Sequence, residues 1–427
     1  MKEKQEQNQT ETKILPPSGT SFTKGGFPKI AILHDAFLYR GGGERLVTLM
    51  AKALDADLVS GFFSEGSFDP RELGFTGKMI ALGKPVFAKG FRHAILKYRF
   101  IEKTRFLADY DIVIFSGNCL DAVRNIPKTT KKIYYCHTPP RYIFDFRDRY
   151  MMRFPKWLHR IADRVLDREA RSYTKQLSLM DHIFTNSQNV HDRLLSFCDF
   201  ESEILYPPTD IDRFAPISRH SDNRKNPEYQ KPGSFVPQDD GKSELDYYLS
   251  FARLSPPKRV DIIVDTFLQM PEQNLILTYG KNDPMKDEIL SKIKWKDNIK
   301  AIESPNDTDL ISLIQWALAT IYIPIDEDFG MSPVESMACG TPVIGVNEWG
   351  LRETIVQNKT GKLIEIKSNL PLDKGGRGDL VSELKSVIQD TKKEEWESMK
   401  EDSILRARDF SLDAFEKKLK SSLLIKS

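Results

Sequence analysis

Residues 321–363, IYIPIDEDFGMSPVESMACGTPVIGVNEWGLRETIVQNKTGKL, decide the fold that we predict for this chain. The first five residues are an apolar run and predict a buried strand. A short helix should follow, with Ser332 as its N-cap and Gly340 just beyond its end, because these residue types favour those positions. Residues 343–346 predict the next strand. Strand, loop, helix and strand in this order indicate a parallel α/β sheet, which binds ligands at the carboxyl ends of its strands.

The loop after the first of these strands, residues 326–330, is the first candidate ligand site. Gly330 lets a ligand approach the backbone closely. The N–H groups at the start of the helix, including those of Met331 and Ser332, would bind an anion such as a phosphate. We therefore expect a ligand that contains phosphate at this loop.

Two carboxylates, Glu327 and Glu335, lie on either side of this anion site in the sequence. Carboxylates in such a position suit the hydroxyl groups of a sugar or a ribose. For Glu335 there is an alternative, because Ser332 and Glu335 also form the S-x-x-E pattern of a capping box. Taken alone, the capping box is favoured for Glu335, but it leaves Glu327, Phe329 and Gly330 unexplained.

Residues 327–343, EDFGMSPVESMACGTPV, resemble the E-x7-E signature of the retaining glycosyltransferases of family 4. The resemblance implies the GT-B fold, in which two Rossmann-like, doubly wound α/β domains face a central cleft. It also implies transfer of a hexose from a nucleotide-diphosphate sugar. Glu327 would then hold hydroxyls of the donor sugar, Glu335 would hold the ribose, and the segment from Phe329 to Ser332 would bind the donor.

A glycine loop near the start of the chain is a second candidate site. Residues 29–33 predict a strand and residues 44–54 a helix, with Gly41, Gly42 and Gly43 between them. This arrangement can cradle a phosphate, but it lacks the G-x-G-x-x-G spacing, so a tight turn is an equal alternative. The resembled family has a GG-x-E-R loop near the donor phosphates and the acceptor, and Gly42 and Gly43 match it.

His137 is the candidate contact from the first half of the chain. It follows a predicted strand, residues 132–136, and starts a turn that two prolines stiffen. A lone histidine after a strand is usually structural, but the carboxyl end of a parallel strand makes a site role plausible. Residues 134–142, YYCHTPPRY, resemble the C-H-T-P-x-R-Y segment of a family 4 subgroup that includes mannosyltransferases of surface-polysaccharide assembly. There the matching histidine lies beside the transferred sugar, and this resemblance favours GDP-mannose over UDP-glucose, UDP-N-acetylglucosamine and UDP-galactose as donor.

Two cations open the second half of the site. Arg253 and Lys258 lie in ARLSPPKR, residues 252–259, directly after a predicted strand. This spacing would place both cations against one anion, and the alternative is a pair of surface cations. The matching G-R-L…K segment of the resembled family binds the nucleotide diphosphate, although Ala252 here replaces its usual glycine. The two cations and the helix N-terminus would stabilise the leaving phosphate, so we expect no metal and no cofactor.

The sequence predicts five segments. Residues 1–27 are polar and predict a disordered tail. Residues 28–210 predict a Rossmann-like domain on the acceptor side, and residues 211–245 a linker with a flexible polar insertion at 216–243. The remaining two segments are a nucleotide-sugar-binding Rossmann-like domain at 246–409 and a helix at 410–427 that crosses back to the first domain.

Charge is distributed unevenly between the two halves. Residues 28–210 hold 28 Lys and Arg against 22 Asp and Glu, whereas residues 211–427 hold 31 against 36. Within the basic half, residues 84–105 are cationic and amphipathic, which suits an anionic membrane surface. The alternative is a solvated helix whose apolar face belongs to the core. Since no nucleic-acid motif accompanies the charge, we expect no nucleic-acid partner.

The composition indicates a soluble globular protein. The four cysteines are scattered and predict reduced structural thiols, and neither a signal peptide nor a bilayer-spanning apolar run is recognisable. We therefore expect a cytoplasmic protein, either free or peripheral on the cytoplasmic face of the membrane. Nothing in the sequence assigns an oligomeric state.

The function that we predict is retaining transfer of a hexose, with mannose favoured, to a saccharide or lipid-linked saccharide acceptor in glycan assembly. The resemblance implies front-face transfer, in which the leaving phosphate helps to deprotonate the acceptor. One rival is an NAD(P)-dependent oxidoreductase, since doubly wound sheets serve both chemistries. The other rival is a non-catalytic protein that binds sugar nucleotides.

Overall fold

The computed structural model describes residues 28–38, 41–87, 89–215, 246–366 and 376–423. The predicted tail 1–27 and the predicted insertion 216–243 lie outside these residues. The strands are β1 (Ile30–His34), β2 (Asp57–Ser60), β3 (Met79–Ala81), β4 (Ile112–Ser116), β5 (Lys131–Cys136), β6 (His182–Thr185), β7 (Glu203–Ile204), β8 (Tyr247–Ser250), β9 (Asn274–Tyr279), β10 (Ile299–Glu303), β11 (Thr320–Tyr322), β12 (Val343–Val346) and β13 (Gly361–Ile364).

Helices connect and cover these strands. They are α1 (Gly42–Ala53), α2 (Lys89–Glu102), α3 (Arg147–Met151), α4 (His159–Leu177), α5 (Gln188–Cys198), α6 (Ile211–Phe214), α7 (Val260–Phe267), α8 (Lys286–Ile293), α9 (Asp307–Trp316), α10 (Met331–Ala338), α11 (Leu351–Thr354), α12 (Gly376–Asp390), α13 (Lys393–Ser398), α14 (Lys400–Arg408) and α15 (Leu412–Leu423). Within the described ranges, no helix is long and apolar enough to cross a bilayer.

The first sheet has the parallel strand order β3-β2-β1-β4-β5-β6-β7. Alternate residues of β1 face opposite sides, since Ala31 and Leu33 join one apolar cluster while Ile30 and Ile32 join another. A strand buried on both faces reads as a continuous apolar run, which is why the sequence predicts it well. The strand order changes direction between β1 and β4, and their carboxyl ends form the crevice where such sheets bind ligands.

The second sheet is also parallel, with the order β10-β9-β8-β11-β12-β13. Its change of direction lies between β8 and β11. The cationic segment with Arg253 and Lys258 follows β8, and the acidic loop with Glu327 follows β11. The two loops therefore meet at one edge of this sheet, because parallel neighbouring strands end on the same side.

The last helix, α15, packs on the first sheet's domain. Phe415, Leu419 and Leu423 are buried in the same apolar cluster as Leu46 and Met50 of α1. The backbone N–H of Thr209 also donates to the carbonyl of Phe410, at 2.8 Å. The chain thus passes between the two sheets' domains twice.

The start of α10 differs from the prediction. The helix begins at Met331, and its N-cap is Gly330 with a φ of 87°. Ser332 therefore lies inside the first turn, and the prediction that it is the N-cap is wrong. The reason is steric and conformational, because a left-handed residue at this turn favours glycine, and a Cβ on Gly330 would lie 2.8 Å from a methyl group of Leu351.

Candidate active site

A three-residue cluster joins the cationic turn after β8 to the acidic loop after β11. Lys258 Nζ lies 2.6 Å from Oε2 of Glu327 and donates to the hydroxyl of Tyr322, also at 2.6 Å. The Tyr322 hydroxyl in turn donates to Glu327 Oε2 at 2.8 Å. Both donors use the same carboxylate oxygen, so the geometry leaves Oε1 of Glu327 to meet a ligand hydroxyl.

The cluster keeps Tyr322 protonated and Glu327 partly open to solvent. Burial raises the pKa of Tyr322 well above its ordinary value, and the neighbouring carboxylate of Glu327 raises it further. The side chains of Lys258 and Glu327 retain 26% and 23% exposure. A ligand in the cleft can therefore reach the charged pair of Lys258 and Glu327, whereas Tyr322 is buried and contacts the pair from the protein interior. The sequence analysis missed Tyr322, because a tyrosine at the end of a buried strand looks like a core residue.

The N-terminus of α10 lies next to this cluster. The first N–H groups of an α-helix have no partner within the helix, and they favour anions. Across the cleft, a Cβ on Gly42 would lie 3.0 Å from Sδ of Met331. The structure therefore brings the glycine loop of the first domain against the start of α10, which places Gly42 and Met331 on facing sides of one cleft.

His137 lies at the carboxyl end of β5 and faces the same glycine loop. Its Nε2 is 2.7 Å from the hydroxyl of Ser116, and a Cβ on Gly43 would lie 3.9 Å from its Cε1. Burial lowers the pKa of His137 to about 4, the neighbouring His34 lowers it as well, and Asp35 acts in the opposite direction. The ring is therefore neutral near pH 7 and can take part in hydrogen bonds without adding charge. His34 and Ser116 each end a strand, and the sequence can predict that position for both. Only the order of the strands in the sheet shows that the two residues lie side by side.

Glu335 lies one turn inside α10. Because the helix starts at Met331 and Ser332 is not the N-cap, the capping box that was the alternative for Glu335 does not form. Burial raises the pKa of Glu335, and the positive charges of Arg45 and Arg213 oppose that increase. The carboxylate thus faces one cation of α1 and one of α6.

Two predicted site residues have different surroundings from those expected. The side chain of Arg253 is 74% exposed and lies 3.6 Å from Asp283. The ring of Phe329 is 2% exposed and packs 5.5 Å from Tyr206 and 5.3 Å from Phe410. The domain junction therefore covers the ring, and donor binding at Phe329 stays a prediction.

Charged contacts hold the acidic loop of the second domain against the first domain. Arg193 donates to Oδ1 of Asp328 at 2.5 Å, and Arg141 lies 3.4 Å from Asp326. Burial raises the pKa of Asp328 to about 6, although Arg193 and then Arg141 lower it. The structure thus has the cleft closed on this side by ion pairs that link α5 and the turn after β5 to the residues beside Glu327.

Glu353 adds a second link between the domains. Its carboxylate accepts hydrogen bonds from the backbone N–H groups of Gln188 and Asn189, at 2.7 and 3.0 Å. These groups are the first two of α5, so a carboxylate of the second domain occupies that helix N-terminus. Across the described part of the chain, no group of three or more His, Cys, Asp or Glu side chains is arranged to hold a metal ion.

Residues 236–373 match the family model described as glycosyl transferases group 1. Over 373 residues the chain is 26% identical to the alpha-1,3/1,6-mannosyltransferase ALG2 of Dictyostelium discoideum, covering 78% of this chain and 85% of that protein. It is also 26% identical over 384 residues to ALG2 of Homo sapiens, covering 79% and 84% of the two chains.

Solved structures share the fold. HepE of Anabaena, in complex with UDP and glucose, matches with a TM-score of 0.65 and 17% identity over 93% of this chain and 99% of that chain. Sucrose-phosphate synthase of Thermosynechococcus elongatus matches with a TM-score of 0.66 and 14% identity over 93% and 98%. The likeness confirms the predicted fold class, two Rossmann-like domains with parallel sheets that face a cleft.

Proposed function

Because this chain is a glycosyltransferase of the GT-B fold, we propose that it transfers mannose from GDP-mannose to a saccharide or lipid-linked saccharide acceptor with retention of configuration. The ALG2 relatives, which are mannosyltransferases, support mannose as the transferred sugar. The resemblance of residues 134–142 to a mannosyltransferase segment supports it independently. The two rival predictions, an NAD(P)-dependent oxidoreductase and a non-catalytic binding protein, are set aside because the family match is to an enzyme class that transfers sugars.

The cluster of Lys258, Tyr322 and Glu327 beside the start of α10 carries the proposal. In the proposed complex, Oε1 of Glu327 accepts a hydrogen bond from a hydroxyl of the mannose, while Oε2 stays fixed by its two donors. Lys258 and the N–H groups of Met331 and Ser332 stabilise the negative charge that grows on the β-phosphate as its bond to the sugar breaks. Fixed donors of this kind accelerate the reaction because they need no reorganisation when the charge develops.

The remaining groups bind and orient the donor. Glu335 holds the ribose, and neutral His137 contacts the sugar from the first domain beside Gly42 and Gly43. Arg253 contributes to diphosphate binding if its exposed side chain turns into the cleft. The acceptor hydroxyl attacks the anomeric carbon on the face that the phosphate leaves. Its proton passes to the departing phosphate oxygen, so no carboxylate of the enzyme forms a bond to the sugar and no metal is required.

A membrane-facing surface on the first domain fits a lipid-linked acceptor. Exposed apolar side chains lie on and before α2 and on and before α4, and the two helices are joined by an ion pair of 2.8 Å between Lys97 and Glu169. These side chains are Phe87, Phe91, Trp157, Ile161 and Val165, each more than half exposed. Apolar groups among cations favour an anionic bilayer surface. We therefore extend the predicted surface from residues 84–105 to α4 and propose a position on the cytoplasmic face of the membrane.

A thermal-shift panel tests the donor. The panel contains GDP-mannose, UDP-glucose, UDP-N-acetylglucosamine, UDP-galactose and NAD(P), each measured with and without EDTA. A ligand at a hundred times its Kd adds about 2.7 kcal/mol to the free energy of unfolding, so GDP-mannose should raise Tm clearly. A shift with a UDP-sugar and none with GDP-mannose would refute the proposed donor, and a donor shift that EDTA abolishes would refute metal-independent binding.

A further inference from the structure

An unassigned crevice of about 490 Å³ lies between the two domains, beside the acidic loop. One wall is α5 of the first domain, and the other is formed by α11 with Trp349, two residues before that helix. The lining includes Asn189, Asp192, Arg193, Phe197, Trp349 and Arg352. Sites for small molecules measure about 300–1,000 Å³, so the crevice has room for one or two sugar rings.

Trp349 is held in this crevice in an uncommon backbone conformation. Its φ is 51°, in the left-handed region, which is a genuine outlier for a bulky side chain. Glu348, Trp349 and Gly350 stand where the resembled family usually has a Gly-Gly pair. Strained backbone of this kind persists where the surroundings enforce it, and it occurs often at ligand sites. The indole ring is still 39% exposed and turns towards Arg193, whose guanidinium carbon lies 5.0 Å from the ring centre.

The α5 wall of the crevice, opposite Trp349, contains buried polar atoms without hydrogen-bond partners. Within the described residues, Nδ2 of Asn189 and Nη2 of Arg193 are buried and have no hydrogen-bond partner. The whole side chain of Arg193 is only 8% exposed. Buried donors without partners are costly, and a ligand with hydroxyl oxygens would satisfy them. On the same wall Phe197 is fixed by stacking on Phe144, with ring centres 5.1 Å apart.

The crevice lies directly beside the acidic loop that carries Glu327. Arg193 bonds to Asp328, the neighbour of Glu327. The backbone N–H of Gly350 donates to the carbonyl of Glu327 at 3.0 Å, and a Cβ on Gly350 would lie 2.3 Å from the carbonyl oxygen of Asp328. A sugar ring in the crevice would therefore lie beside the loop that carries Glu327, on the far side of the pair of Arg193 and Asp328.

We infer that this crevice is a subsite for the acceptor saccharide, with Trp349 as the platform on which a pyranose ring packs its apolar C–H face. The inference rests on the proposed glycosyl transfer. An aromatic ring supplies a large apolar surface at a low cost in conformational entropy, while the amide of Asn189 and the guanidinium of Arg193 bond to the sugar's hydroxyl oxygens. The strained position of Trp349 is then part of acceptor recognition.

The test uses saturation-transfer NMR with α-1,3-mannobiose on the full-length protein, with and without saturating GDP. Trp349→Gly suits this test because glycine adopts a φ of 51° without strain, so the variant should fold. Trp349→Phe keeps an aromatic platform. The matched control is Trp295→Gly, which removes an indole that is 83% exposed in the turn between α8 and β10. A thermal shift with GDP on every variant reports separately on the donor site.

We expect Trp349→Gly to weaken mannobiose binding at least tenfold, which corresponds to about 1.4 kcal/mol. Trp349→Phe should lose less, and Trp295→Gly and the GDP shifts should stay within twofold of the wild-type protein. Equal mannobiose binding by Trp349→Gly and wild type, or no binding by the wild type in either condition, overturns the inference. Loss of the GDP shift in Trp349→Gly also overturns it, because Trp349 would then serve the donor. A wild-type protein that binds mannobiose through Trp349 but shows no shift with any nucleotide sugar would refute the proposed function alone.

Discussion

Tyr322→Phe is the sharpest test of the Lys258–Tyr322–Glu327 cluster, because it removes one oxygen atom and little else. The tyrosine ring is 6% exposed, so phenylalanine fills the same space. The lost hydroxyl donates to Glu327 at 2.8 Å and accepts from Lys258 at 2.6 Å. The variant therefore keeps the charged pair but loses the group that fixes its geometry.

The expected loss can be worked out from these contacts. A hydrogen bond to a charged group contributes about 1.5–3 kcal/mol to stability. Lys258 and Glu327 remain 2.6 Å apart and about a quarter exposed, so water replaces part of the lost bonding. We therefore expect the variant to lose about 1–2 kcal/mol of transition-state stabilisation, which is a fall of about 5- to 30-fold in kcat/KM.

The assay is release of GDP from GDP-mannose in the presence of acceptor, followed over a range of donor concentrations. The matched control is Tyr248→Phe, since Tyr248 is 2% exposed and accepts a hydrogen bond from Trp396 at 3.2 Å in the core of the same domain. The control should lose stability and keep its kcat/KM. The reasoning fails if Tyr322→Phe turns over within twofold of the wild type, or if the control loses as much activity.

Three further perturbations test other parts of the site. In a urea titration, Gly330→Ala should lower the free energy of unfolding by about 1–3 kcal/mol, and it should also weaken donor binding. The reason is that the substitution forces a side chain into the left-handed region and against Leu351. The control is Gly378→Ala in α12, where a Cβ meets nothing within 4 Å, and it should be neutral or slightly stabilising in the same titration. Burial lowers the pKa of His137 in the folded protein to about 4, so the folded state holds fewer protons than the unfolded state between pH 6.5 and 4. The contribution of His137 to stability is therefore lost as the pH falls through that range. In His137→Gln the fall in Tm over that range should be smaller, and an unchanged Tm profile would contradict the assignment. Burial raises the pKa of Asp328 to about 6, so the folded state holds more protons than the unfolded state between pH 4 and 6. The contribution of Asp328 to stability is therefore lost as the pH rises through that range. Asp328→Asn should remove this pH dependence from the Tm profile, and a profile that still parallels that of the wild type would contradict the prediction.

Much of the fold follows from local sequence patterns. The strands β1, β5 and β12 are apolar runs bounded by turn residues, and the structure has each of them within a residue or so of its predicted position. Such runs are reliable because both faces of a parallel sheet are covered. The positions of Glu327 and Lys258 at strand ends follow from the same logic, since the loops that follow neighbouring parallel strands meet.

What the sequence could not predict depends on contacts between distant residues. The N-cap of α10 is Gly330 and not Ser332, and the turn there needs a residue without a Cβ because Leu351 of the distant helix α11 lies against it. The sequence places Phe329 in the candidate site, but it gives no sign that Tyr206 and Phe410 cover the ring. The pairing of Arg193 with Asp328 joins residues of two domains, and no local pattern of either segment announces it.

The docking of α15 on the first domain has a consequence for any attempt to exchange domains between enzymes of this fold. Phe415, Leu419 and Leu423 complete an apolar cluster whose other members lie far earlier in the chain, and Lys131 holds the end of the helix by donating to the carbonyl of Leu423 at 3.2 Å. The domain of the first sheet is therefore discontinuous in sequence. A hybrid enzyme made with one crossover near residue 210 would inherit a terminal helix shaped for a different partner surface. A hybrid with two crossovers, the second just before residue 412, would keep the helix with the domain that it completes.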